Sequence, residues 1–374
     1  MFKPLVSFLL LLVLAHPAWG AYDNPQLKVL VLTTKQPFTL SAKSGLFVSG
    51  IDQGSRQKSI TFFPAGRGRV RVGNGPKLKG PLTVRARGII GLVHAGKKRR
   101  LHYDGFIEIK PSKKGVHLIN HIDTERYLEG VIGGEIKTSW PMEAVKAQAV
   151  LARTFALYRR YERARGAWHL KSGPTDQVYR GKNVSDPRGR FAIDATKGLV
   201  VSYQGHLAQT FYHANCGGVT ELPSSLWNIE LPYYQIQAVP YGQKAPKFQW
   251  QTFLSRARVA QILKKAGMRR DQVEFMEISQ RTGSGRAAWI DLEGSHSQQI
   301  KGKDFRRHAG YQKIPSLLFE IAPAEGGFLL SGQGNGHGIG MCQWAAKEMA
   351  EDGYDYEQIL HYFYKPINLG YYGG

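Results

Sequence analysis

Residues 127–158 read YLEGVIGGEIKTSWPMEAVKAQAVLARTFALY, and this stretch imposes two helices with a break between them. Asp123, just upstream, carries the short carboxylate that caps a helix N-terminus, so a first helix is expected over residues 124–132. Gly133-Gly134 supplies a flexible stop, and Glu135 follows directly. Thr138 or Ser139 then opens a longer helix, with Pro141 in its first turn, where a missing N–H costs little; the pattern extends to about residue 161. Glu135 thus stands between two helices beside two glycines, where a carboxylate meets little crowding at the lip of a cleft. An apolar neighbour such as Ile136 strips water from it and raises its pKa, as a general acid working near neutrality requires. On the second helix Lys146 and Arg153 are seven residues apart and share a face, separated by about 10 Å of helix rise. They could bind sugar-borne carboxylates or hold Glu135 in place. The plainer alternatives are a glutamate that only caps a helix and an amphipathic helix with solvated charges.

Upstream of residue 123 the pattern is different. Short apolar or alternating runs at 27–33, 45–48, 60–63, 69–72, 82–86, 88–93, 106–109 and 116–119 are punctuated by Gly, Pro and Lys, as in small antiparallel sheets or barrels. Basic clusters such as Lys97-Lys98-Arg99-Arg100 fall in the turns. Downstream, 168–241 reads as mixed loop and strand, 254–266 as a helix, and 273–280, 288–292, 317–321 and 328–330 as strands. A Gly-rich loop at 332–340 leads into two closing helices, about 341–352 and 356–363. Strands and helices are interspersed without a regular β-α repeat, so the class is α+β. The expected organisation is a leader at 1–20, a β-rich region at 21–122 and a mixed core at 123–374.

The leader rests on Lys3, an apolar run at 5–14 and Ala18-Trp19-Gly20, a small-x-small pattern of the kind signal peptidase cuts. That run is shorter than the roughly 20 apolar residues that span a bilayer, and no later stretch is long enough either. The expectation is an exported chain, periplasmic or associated with the cell wall, with no stable membrane span after cleavage. Its formal charge is +23, from 51 Lys+Arg against 28 Asp+Glu. Inside a cell nucleic acid would be the first partner to consider; outside, the abundant polyanions are cell-wall polymers and anionic lipid surfaces. Export removes nucleic acid from the expected partners. With 42% hydrophobic residues, the chain can build one large core or two.

Five segments carry a resemblance, in this order: EAVKAQAVLART (143–154) behind Glu135; DQVYRG (176–181); FYHANCGG (211–218) running on to Thr220-Glu221; GNGHGIGMCQWA (334–345); and ILHYFY (359–364). Together they resemble the SpoIID/LytB family from about residue 122 to the C-terminus, and five ordered matches are far more specific than any one. The resemblance implies a peptidoglycan lytic transglycosylase acting on glycan strands stripped of stem peptides. It places the catalytic acid at Glu135 and functional basic residues at Lys146 and Arg153. It also implies cleft or substrate-binding positions at Gln177, Tyr179, His213, His337 and Gln343. In the implied chemistry one carboxyl group suffices. Glu135 protonates the glycosidic oxygen leaving C1 of N-acetylmuramic acid. It then takes the proton of the same sugar's 6-hydroxyl, which closes on C1 to give a 1,6-anhydro end. Hydrolases need a second carboxylate to supply a nucleophile or activate water; the intramolecular hydroxyl removes that need. The family also implies an alternative, a non-catalytic wall-binding module that enhances a cell-wall amidase.

The alternating glycines of 332–340 let backbone N–H groups approach a ligand closely. The loop lacks the Lys-Ser/Thr ending of a phosphate-binding loop, so nucleotide is not indicated. Cys216 and Cys342 leave three readings open, with His213 and His337 nearby in sequence. They are a disulfide, a zinc site from the four residues, and a thiol–imidazole nucleophile. Relatives with serine where Cys342 stands argue against the nucleophile. Some relatives carry a His/Cys metal cluster just ahead of Gln177; no cysteine precedes it here, which argues against that zinc site. A disulfide or two close thiols is favoured, with no metal and no cofactor.

Overall fold

Period-2 alternation builds two six-stranded sheets from the N-terminal third, the first completed by one short strand from further along the chain. The computed structural model describes residues 24–51, 57–94, 100–269 and 272–373, so the expected leader at 1–20 and residues 97–99 of the basic cluster lie outside it. The first sheet has the spatial order Leu170–Lys171, Gln26–Thr34, Gly115–Asp123, Phe106–Ser112, Leu82–Arg85, Phe47–Val48. The second runs Lys77–Lys79, Arg69–Val72, Ser59–Pro64, Phe38–Ser41, Ile90–His94, Leu101–Tyr103. Alternate residues face inward: Leu27, Val29, Ile107, Ile109 and Leu118 from one sheet, Phe38, Leu40, Ile60 and Phe62 from the other, all buried. Phe38 stacks on Phe62 with ring centroids 5.3 Å apart.

Asp123 ends a strand and caps a helix at once. Its carboxylate accepts the Arg126 N–H at 3.0 Å and starts α1 (Thr124–Glu135). The expected stop at Gly133-Gly134 is corrected: α1 runs through both glycines, and Glu135 is its last residue. The second helix, α2 (Met142–Glu162), begins behind Pro141, not at Thr138 or Ser139. Apart from the half-buried Lys146, α2 is buried from Ala144 to Leu157. It forms the hub of the core, packed against α1, α3 (Pro187–Ala195), α7 (Gln343–Glu351) and α8 (Tyr356–Phe363).

Between α3 and α7 lie α4 (Pro223–Trp227), α5 (Arg256–Lys265) and α6 (Gly302–Ala309). Two three-stranded sheets accompany them: Gln249–Ser255, Gly327–Gln333, Leu318–Ala324; and Val273–Arg281, Ala287–Gly294, Gln298–Lys301. Leu254 and Ser255, read as helical, stay in the preceding strand, because Ser255 accepts the Arg258 N–H and caps α5. A two-stranded parallel pair joins Tyr212–His213 to Met341–Cys342. The class is α+β. No helix among the described residues is long and apolar enough to cross a membrane.

Candidate functional site

The two glycines that fail to stop α1 explain how Glu135 is held. A Cβ on Gly133 would sit 2.3 Å from the Val184 carbonyl oxygen, and one on Gly134 2.6 Å from that of Val178. Only bare backbone lets these segments come so near. The approach of Val178 allows its N–H to donate to Glu135 Oε1 at 2.6 Å. Val178 is fixed on both sides. Tyr127 Oη donates to Gln177 Oε1 at 3.0 Å, and Gln177 Nε2 donates to Ala152 O at 3.2 Å and to Tyr212 Oη at 3.1 Å. On the other side, Tyr179 Oη donates to Asn120 Oδ1 at 2.7 Å. From α7, Gln343 Nε2 donates to the main-chain oxygen of Glu135 at 3.1 Å and to Gln148 Oε1 at 3.0 Å. Only the Val178 N–H bonds the carboxyl group itself; the other contacts brace Val178 and the main chain of Glu135.

Glu135 itself is half-buried and makes no salt bridge among the described residues. Burial raises its pKa above the ordinary carboxyl range; the Val178 N–H and the positive charge of Arg180 oppose this without cancelling it. Arg180 is exposed. The arrangement is a carboxyl group with a raised pKa, gripped at one oxygen, in the field of an exposed cation.

The other expected site residues divide. Gln177, Tyr179 and Gln343 are buried and support the Glu135 surroundings from behind, so their side-chain bonds are spent on the protein. Arg153 is not free to bind a sugar: it is wholly buried, in a two-pronged ion pair with Glu125 at 2.8 Å and 2.8 Å. Its remaining N–H groups go to Leu199 O and Ile193 O at 3.1 and 3.2 Å. The seven-residue spacing does put Lys146 and Arg153 on one side of α2, but that helix is packed nearly all round. Lys146 pairs with Glu143 at 2.7 Å, and the Glu143 carboxylate also accepts the Tyr356 N–H at 3.1 Å.

His213 and His337 meet elsewhere, ring centroids 5.2 Å apart, with Trp227 5.0 Å from His337. Burial keeps both imidazoles neutral well below their ordinary range. The Gly-rich loop is turned inward. A Cβ on Gly336 would meet His213 at 2.6 Å, and the N–H groups of Gly334, Asn335 and Gly336 donate to Phe248 O, Asn215 O and Pro315 O. Those donors are not available to a ligand. Cys216 and Cys342 are free, buried thiols, not a disulfide.

Residue-by-residue reading did not single out Arg180, Gln148, Tyr127 and Tyr212 as parts of the site. All four lie inside the segments quoted above. Which members of a segment face the carboxylate is decided by tertiary packing, which no local spacing encodes.

The sequence is similar to known proteins over much of its length. Residues 112–203 match the model of a family described as Stage II sporulation protein, and residues 236–340 match a domain of unknown function, DUF8618. An uncharacterized protein of Brachyspira hyodysenteriae is 32% identical over 270 residues, 72% of either chain. Stage II sporulation protein D of Bacillus amyloliquefaciens is 27% identical over 271 residues, 68% of this chain and 76% of its own. The Amidase enhancer of Bacillus subtilis is 27% identical over 297 residues, covering 65% of this chain and 40% of the enhancer.

Proposed function

The chain belongs to the SpoIID/LytB family, and we propose that it cleaves the glycan strands of peptidoglycan as a lytic transglycosylase with Glu135 as its one acid/base. The observation that carries this reading is the state of Glu135. It is half-buried, without a salt-bridge partner among the described residues, and raised in pKa by desolvation. A carboxyl group so placed holds its proton more tightly than an exposed one and can give it to the oxygen leaving C1 of N-acetylmuramic acid. The resulting carboxylate then accepts the proton of that sugar's 6-hydroxyl as the hydroxyl oxygen bonds to C1. One bond breaks, one forms, and the proton count on Glu135 is restored. The Val178 N–H grips Oε1 throughout and steadies the anion between the two transfers.

Strands stripped of stem peptides expose lactyl carboxylates, which Arg180 could meet: it is exposed, and its charge is felt at Glu135. Arg153, Gln177, Tyr179 and Gln343 serve this reading as positioning residues. The test is digestion of denuded glycan strands by the wild type and by Glu135→Gln. Soluble fragments are expected from the wild type, and their release should fall about 10²–10⁴-fold in the variant, the usual contribution of a positioned general acid. Undiminished release by the variant removes Glu135 from the mechanism.

One relative's name, Amidase enhancer, favours a second reading, in which the basic chain binds the wall and raises the activity of a partner amidase. It predicts sedimentation with purified wall, no fragments from the protein alone, and faster cleavage when an amidase is added.

A further inference from the structure

We propose that His213, Cys216 and Cys342 form a binding site for a zinc-type divalent metal ion, separate from Glu135. One ligand atom from each lies within 4.8 Å of the others, and all three residues are buried. His213 Nδ1 is bonded to the Ile339 carbonyl oxygen at 3.1 Å, which fixes the ring and leaves Nε2 as the free donor. That Nε2 is buried without a hydrogen-bond partner among the described residues, in a residue only 5% exposed. A buried ring nitrogen left unpaired is costly, and a disulfide between the two cysteines would leave it so. A metal ion satisfies all three groups together. The backbone carbonyl on the opposite ring nitrogen is the partner that metal-bound histidines ordinarily have.

One nitrogen and two sulfurs select against calcium and magnesium, which take oxygen ligands, and suit zinc or its spectroscopic substitute cobalt. Binding displaces both thiol protons to solvent, and the two thiolates with a neutral imidazole balance the dication. Arg286 Nη2, 2.7 Å from the Cys216 carbonyl oxygen, stays engaged with backbone. His337, considered with these residues on sequence grounds, is outside the cluster; its Nδ1 accepts the Ile339 N–H at 3.0 Å.

The ion would clamp the parallel pair Tyr212–His213 and Met341–Cys342. The neighbours of His213 and Cys342 in the chain, Tyr212 and Gln343, belong to the Glu135 support, since Tyr212 holds Gln177 and Gln343, at the start of α7, holds the Glu135 main chain. The metal is therefore a structural tie behind the acid site and takes no part in the proton transfers.

The experiment is titration of the full chain, purified under reductant and stripped with chelator, with Co(II) alone. One equivalent should be taken up, with strong thiolate-to-cobalt charge-transfer absorption that zinc abolishes and a rise in Tm. Cys342→Ser and Cys216→Ser, each checked for native circular dichroism, should lose the charge-transfer band. The proposal is overturned if folded wild type with both thiols free gives no band, or if Cys342→Ser retains it. A Cys216–Cys342 disulfide that forms with equimolar zinc present also overturns it. The wild-type titration decides the matter even if neither variant folds.

Discussion

On the carboxyl group of Glu135, desolvation works against one N–H and the charge of Arg180, and desolvation is the larger effect. The sign for catalysis follows. The acid form is needed first, so turnover should fall as pH rises through this raised pKa, higher than an ordinary glutamate would allow. Arg180 holds the value down, so Arg180→Gln should move that alkaline limb to higher pH; an unmoved limb would show that the cation is not felt. The sign for stability is the same. A carboxyl group whose folded pKa lies above its unfolded one contributes stability at low pH and loses it as pH rises through the folded value. Glu135→Gln keeps an oxygen for Val178 and has no charge to bury. Thermal melts should therefore show it equal to wild type at pH 4 and more stable at pH 8, while its activity is lost. A variant destabilised most at high pH would contradict the assigned shift.

At the scale of elements, α1 and α2 supply the geometry, and Arg153 is the pin between them. Removing one partner of a buried pair strands the other, so Arg153→Leu should cost about 3–5 kcal/mol in denaturant unfolding. Lys146→Ala, on the half-exposed pair with Glu143, should cost at most about 1 kcal/mol. Equal costs would mean that Arg153 is not the buried partner described. Gly134→Ala forces a Cβ toward the Val178 carbonyl at 2.6 Å. It should cost about 1–3 kcal/mol by overpacking and lower activity further by shifting the N–H that grips Glu135. The boundaries of these helices show what sequence can and cannot carry. Asp123 was readable as a cap because capping is local, and Tyr356–Phe363 was found to the residue because its periodicity is clean. Gly133-Gly134 misled because a glycine pair signals a stop or a close contact with equal force, and the contact, with Val178 and Val184, comes from about fifty residues away. Arg153 misled because helical spacing gives a face without saying whether the face meets water. The strands Lys77–Lys79 and Leu101–Tyr103 are too short for an alternation to stand out, so pairing alone defines them.

Over the whole molecule, the N-terminal sheets and the helical core share contacts that fix the acid site. Leu170–Lys171 adds a parallel edge strand beside Gln26–Thr34, and Asn120 in the same sheet receives the Tyr179 hydroxyl next to Val178. If the wall is the partner, the formal charge of +23 should attract it at long range, screened as the Debye length shrinks from about 10 Å at 0.1 M salt to about 3 Å at 1 M. Wall binding measured by sedimentation should weaken steeply over that range; salt-independent binding would mean that the charge is idle. The central claim is that one carboxyl group both gives and takes back the proton, with a sugar hydroxyl in place of water. Mass spectrometry of the new chain ends, from denuded strands digested in ¹⁸O-labelled water, tests it most directly. Unlabelled 1,6-anhydro-N-acetylmuramic acid ends are expected. Labelled reducing ends would mean that water is the nucleophile and would contradict it.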